Sequence, residues 1–178
     1  MSDLFNFYEL EPAFIIDEKL LRRKFLELSR RYHPDFYGAE SEEKQAEALE
    51  LSSMNNEAFK VLSDFDKRFA YILNMHGLID EHKNKNALPH SFLFEMMELN
   101  EALSDIENSF SQLVFEKLKA EINSFNKKLF EAIEPDLSIY KKESSDELLH
   151  NRLLEFYLKK KYLNRLEERL LTFKDEKL

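Results

Sequence analysis

Cysteine and tryptophan are absent from this sequence, glycine occurs only twice and proline four times in 178 residues. Without cysteine the chain has no disulfide, no thiolate metal site and no cysteine nucleophile. Scarce glycine and proline leave few tight turns, and an abundance of Leu, Glu, Lys and Phe favours helix, so the expected fold class is all-α. Long apolar runs are also missing. None approaches the roughly 20 residues of a membrane span, and Met1-Ser2-Asp3 opens neither a signal nor a transit peptide. The expectation is a soluble, cytoplasmic protein with no membrane association. A net charge of −9 argues against a nucleic-acid partner, which calls for a basic surface. His76, His82, His90 and His150 fall in no ligand spacing, so neither a metal nor a cofactor is expected.

What is present is a set of amphipathic helix patterns. A short apolar cluster (Leu4, Phe5, Phe7, Tyr8, Leu10) precedes Pro12. Asp17 is a plausible N-cap for a helix from Glu18 to Tyr32, with Leu21, Phe25, Leu28 and Tyr32 on its apolar side. Lys19, Arg22, Arg23 and Arg30 fall on the opposite side at about 100° per residue. Residues 18–31 hold six basic and two acidic side chains. Pro34 stops this helix, because the residue before a proline is pushed out of the helical region. Ser41, followed by Glu42 and Glu43, suits the start of a second helix running to about Leu62. Residues 39–58 hold six acidic side chains and one basic. A shorter helix restarts at Ser63-Asp64 and ends near His76-Gly77. Residues 78–87 are polar and aperiodic and read as a linker. Three helices follow: one after Leu88-Pro89 to about Glu107, one from about Ser109 to Ile133 that ends before Pro135, and one from a Ser144/Glu147 capping box to about Lys174. Three long helices without a sheet bury their faces only on each other, which makes residues 88–178 a three-helix bundle.

Between the basic and acidic helices stands His33-Pro34-Asp35. Alone it could be a helix stop. It could also be an acid–base dyad, but no nucleophile, oxyanion site or third orienting group accompanies it. In context, the hairpin resembles the J domain of DnaJ-type co-chaperones. The resemblance is carried by Phe7-Tyr8-Glu9-Leu10, Arg30-Arg31-Tyr32-His33-Pro34-Asp35, the run Asn56 to Asp64, and Lys67-Arg68-Phe69-Ala70-Tyr71, in the family's order and spacing. It implies a J domain over residues 1–77 that docks on a DnaK/HscA-type heat-shock chaperone and stimulates its ATPase. His33, Pro34 and Asp35 would be essential, with Lys19, Arg22, Arg23 and Arg30 supporting. A rigid turn beside a cationic stripe suits steering onto an acidic patch. The sequence departs from many J domains in one respect: Phe36-Tyr37 follows the tripeptide where a basic residue is common.

The helix over 88–107 has more apolar residues than one core face needs. Phe92, Met96, Leu99, Leu103 and Ile106 lie within about 80° of arc. Leu93, Phe94 and Met97 fall roughly 100–200° away from that stripe, mixed with Glu101 and flanked by Glu98. By periodicity, this second face is either a partner site or an internal contact. Met96 reads as core, and Met97 as exposed and adaptable. The run from Leu88-Pro89 through Phe92-Leu93-Phe94-Glu95-Met96-Met97-Glu98-Leu99, together with Tyr71 to Gly77, resembles the HscB-type iron–sulfur co-chaperones. That resemblance implies a bundle that binds the iron–sulfur scaffold protein IscU through Leu93, Phe94, Met97, Glu98 and Glu101. An aromatic of the last helix would join them, best matched by Phe156, with Tyr157 as the neighbouring choice. The residue after Leu99, often basic in relatives, is Asn100. Cluster ligation normally needs cysteine, so the chain is expected to hold the scaffold without ligating its cluster. The implied function is a non-enzymatic adaptor that delivers IscU to the chaperone; the alternative is a J-domain co-chaperone for another client.

Overall fold

The structure, a computed structural model, describes residues 3–80, 82–108, 110–140 and 146–177. Among them there is no strand. The fold is all-α, with N-terminal and C-terminal helical parts. The α-helices are α1 (Leu4–Phe7), α2 (Glu18–Arg31), α3 (Glu42–Leu62), α4 (Phe65–Met75), α5 (His90–Asn108), α6 (Gln112–Ile139) and α7 (Glu147–Lys177), with 3-10 turns at Pro34–Tyr37 and Lys83–Asn86. Backbone contacts group the chain into two compact units: Met1–His76 with Leu137–Ser144, and Gly77–Asp136 with Ser145–Leu178.

The first unit is built by capped helices around aromatic rings. Asp17 caps α2 by accepting from the Lys19 and Leu20 amides at 2.9 and 3.0 Å. Ser41 caps α3 and Asp64 caps α4, each through the amide three residues on. Gly77 takes φ 65°, the left-handed conformation that ends a helix without a Cβ penalty. Phe5, Phe14, Leu21, Leu62, Phe69, Ile72 and Leu73 are fully buried, and Phe25 stacks on Phe59 at 4.2 Å to join α2 to α3.

Two buried polar groups tie this core together. Asn55 is 1% exposed. Its side-chain amide donates to the Phe25 carbonyl at 3.1 Å and to Ser29 Oγ at 2.9 Å, while the Tyr8 hydroxyl lies 2.8 Å from its Oδ1. Burial raises the Tyr8 phenol well above its ordinary pKa, keeping it a neutral donor. Asn55→Ala strands these partners away from water and is expected to cost about 3 kcal/mol. A denaturant titration followed by circular dichroism checks it; an unchanged midpoint would count against the network.

Arg68 is 4% exposed. Its guanidinium donates to the Phe14 carbonyl at 3.1 Å and also to the Leu62 carbonyl, and it stands 5.6 Å over the Phe65 ring. Burial lowers its pKa from the usual arginine value. Because the planar fork serves two carbonyls at once, Arg68→Lys is not conservative. Arg68→Ala and Arg68→Lys are both expected to lose about 2–4 kcal/mol, read from the same titration; full stability in Arg68→Lys would refute the two-carbonyl role.

In the second unit, Phe92, Met96, Leu99, Leu103 and Ile106 of α5 pack with Phe115, Leu118 and Ile122 of α6 and Leu163, Leu166 and Leu170 of α7. The stripe expected on α5 is therefore its core face. Two boundaries differ from expectation. The second bundle helix does not stop before Pro135: α6 continues to Ile139 with Pro135 inside it. Proline in a helix interior costs about 3 kcal/mol, and burial of Leu137 and Tyr140 past it offsets that loss. Tyr140 belongs to the first unit, where its ring meets Phe14 at 4.7 Å and its hydroxyl lies 2.6 Å from His76 Nε2. The last helix is capped by Asp146, which accepts from the Leu148 and Leu149 amides at 2.9 and 3.3 Å; Ser144 of the expected capping box lies outside the described residues. The segment expected to be a linker contains the Lys83–Asn86 turn, organised by Asp80 accepting from the His82 and Lys83 amides.

Candidate functional site

Each unit presents one exposed constellation. In the first, His33 has φ −64° and ψ 126°, the extended geometry that Pro34 imposes on its predecessor. Its Nδ1 accepts from the Asp35 amide at 3.3 Å, a bond that in the neutral ring leaves the proton to Nε2. The Asp35 carboxylate approaches Nδ1 at 3.7 Å, but an Nδ1 that accepts from the backbone cannot also donate to it. The side chains of His33 and Asp35 are 53% and 86% exposed. They lack the burial by which acid–base pairs are usually tuned.

The turn is braced on both sides. Tyr37 donates through its hydroxyl to the Arg31 carbonyl at 3.0 Å, and Gln45 of α3 donates to the Glu40 carbonyl at 2.9 Å. Phe36 stands 73% exposed, edge-on to the His33 ring at 5.9 Å. On α2, Lys19, Arg22, Arg23 and Arg30 are exposed and line one open surface with Leu26 and Glu27. Lys24 leaves that stripe, pairing with Glu9 at 3.3 Å. The geometry is a rigid turn carrying one imidazole and one carboxylate beside four cations.

In the second unit, Phe94 and Met97 are 67% and 58% exposed on α5, while Met96 is fully buried. Glu98 and Glu101 are exposed beside them, and Leu93 is half-buried. These five residues share one face of one helix. Phe156 does not join them on open surface. It is 3% exposed, at the α6–α7 packing, in a cleft of about 230 Å³ lined also by Leu129, Ile133, Asp136 and Arg152. Tyr157 is half-buried. The α7 aromatic hydrogen-bonded to α5 is instead Tyr162, whose hydroxyl accepts from Asn100 at 2.9 Å and whose ring meets Phe92 edge-on at 5.9 Å. Sequence reading passed over Tyr162. The signal was available in the series Lys159, Tyr162, Leu166, Arg169, spaced three and four residues apart on one side of α7.

Among the described residues, no group of three or more His, Asp or Glu is arranged to hold a metal ion. No helix there is long and apolar enough to cross a membrane.

The chain is all-α, with an exposed turn on a helical hairpin and an exposed apolar strip on a three-helix bundle. Residues 88–171 match the family described as the HSCB C-terminal oligomerisation domain. The chain is 31% identical over 107 residues to the co-chaperone protein HscB of Proteus mirabilis, covering 60% of this chain and 62% of that one. It is 33% identical over 105 residues to an HscB homologue of Neisseria meningitidis, covering 59% and 63%. It thus spans about three fifths of the length of the curated relatives it matches. The fold is that of the chaperone HscB from Vibrio cholerae (TM-score 0.77, 21% identity, 99% of this chain and 100% of that one) and of human HscB (TM-score 0.81, 22% identity, 98% and 83%). The HSCB family match thus covers just under half of the chain, and the fold of the chain is that of the HscB structures.

Proposed function

We propose that this protein stimulates the ATPase of a DnaK/HscA-type chaperone and delivers to it the iron–sulfur scaffold protein IscU. The observation that carries the reading is the presence, in one chain, of the exposed His33-Pro34-Asp35 turn and the exposed Phe94–Met97 strip. The turn and the cations Lys19, Arg22, Arg23 and Arg30 engage the ATPase, and steering by the stripe raises the encounter rate. Leu93, Phe94, Met97, Glu98 and Glu101 hold the scaffold, and Phe156 supports this surface by fixing α7 on α6. Holding both partners converts client capture into an intramolecular event at raised effective concentration. No chemical step falls to the chain itself, since its relatives are named co-chaperones. The iron–sulfur cluster is cargo of the scaffold.

The test is steady-state ATPase turnover of purified chaperone with this protein, with and without IscU. Stimulation by the protein alone, and more with scaffold at sub-saturating concentrations, is expected. Absence of any stimulation refutes the proposal. Stimulation that ignores the scaffold supports a co-chaperone serving a different client.

A further inference from the structure

The surface proposed to meet the chaperone carries two exposed apolar side chains that steering by charge does not call for. On α2, Arg22, Lys19, Arg30 and Arg23 span roughly 100° of arc, and Leu26 falls inside that arc, about 20° from Lys19 and about 40° from both Arg22 and Arg30. Leu26 is 46% exposed and lines the same open surface as these cations. The core side of the helix, Leu21, Phe25 and Leu28, lies roughly 100–160° away, so Leu26 is not a displaced core residue. At the turn, Phe36 is 73% exposed, more than Phe94 of the α5 strip. Its amide donates to the His33 carbonyl at 3.1 Å, and its ring meets the imidazole edge-on. The aromatic that braces the turn is its neighbour Tyr37, half-buried and bonded to the Arg31 carbonyl. A lone exposed leucine or phenylalanine is ordinary on a protein surface. Here one sits in the middle of a cationic stripe and the other beside the exposed imidazole.

Resting on the chaperone-docking reading above, we infer that Leu26 and Phe36 are apolar anchors of that interface. The occupant is the acidic surface of the chaperone ATPase, and it offers an apolar depression to each side chain. The surrounding cations select an acidic partner, because any other surface would strip their hydration without compensation. They steer the encounter, and the two apolar side chains, desolvated once docked, slow dissociation. Salt tells the two contributions apart. The screening length falls from about 10 Å at 0.1 M to about 3 Å at 1 M, which weakens the cations and leaves apolar burial intact.

The experiment is steady-state ATPase turnover of a purified DnaK/HscA-type chaperone titrated with the full chain at low and high salt. It reads the concentration for half-maximal stimulation separately from the maximum, with thermal melts of every variant. Leu26→Gln is expected to raise that concentration about fivefold and Phe36→Ala about tenfold, at both salts and with the maximum kept. Arg22→Gln raises it at low salt, and the deficit shrinks as salt rises. Leu26→Lys separates the contributions by sign, since an added cation tightens a purely electrostatic surface and weakens an anchored one. Leu26→Met stays within about twofold of wild type, because methionine fills an apolar depression nearly as well. Leu113→Gln, at a leucine of α6 that is 81% exposed, also stays within about twofold. Wild-type values in Leu26→Gln and Phe36→Ala, or tighter stimulation by Leu26→Lys, with His33→Gln inactive, overturn the anchors and leave the role of the turn standing. Wild-type stimulation by a folded His33→Gln protein overturns the docking reading and the anchors with it.

Discussion

His33→Gln is expected to abolish stimulation of the chaperone ATPase while leaving the protein folded. The side chain is 53% exposed, and its internal tie is an acceptor bond from the Asp35 amide. Surface substitutions of this kind typically move stability by no more than about 0.5 kcal/mol. The functional cost is far larger in proportion. Pro34 sets the backbone at His33, and the Tyr37–Arg31 and Gln45–Glu40 bonds brace the turn around it, so docking has little backbone left to order. Glutamine is flexible and lacks the ring. A loss of stimulation of tenfold or more corresponds to about 1.4 kcal/mol or more of interaction with the activated chaperone. Turnover measured with matched thermal melts checks this. Stimulation at the wild-type level by a folded His33→Gln protein would sink the proposed role of the turn.

The second large effect is expected at Met97. Burying a methionine against a partner contributes about 2 kcal/mol, so Met97→Ala is expected to weaken scaffold binding about thirtyfold. The exposure of Met97, 58% in this chain, means that truncation leaves no internal cavity and the melting temperature stays put. Met96→Ala makes the informative contrast. That side chain is fully buried among Leu99, Leu103 and Leu166, and its loss costs about 2–5 kcal/mol of stability. Calorimetric titration with IscU, set beside thermal melts, separates the two neighbours. Equal binding by wild type and Met97→Ala would show that the strip is not the docking surface.

The adjacent pair Met96–Met97 shows how much was legible beforehand. A 100° step along α5 separates a core position from a surface one, and periodicity assigned each to its side. The caps at Asp17, Ser41 and Asp64, and the turn at Gly77, were equally local and equally legible. Pro135 was misread because the rule that a proline ends a helix weighs only the backbone. The burial of Leu137 and Tyr140 beyond it is a long-range term. Phe156 was placed by likeness of position, and no periodic argument told the α6-facing side of α7 from its open side.

By itself the sequence determined that the protein is all-α, where most of its helices begin, that a turn separates a basic helix from an acidic one, and that α5 carries a surplus apolar face. Each of these rests on composition, capping or helical period, interactions that span a few residues. Only the tertiary structure decided that the surplus face is open and that Phe156 is enclosed while Tyr162 reaches Asn100. Those outcomes depend on which helix sides meet, a matter of packing among residues distant in sequence, which no local pattern encodes.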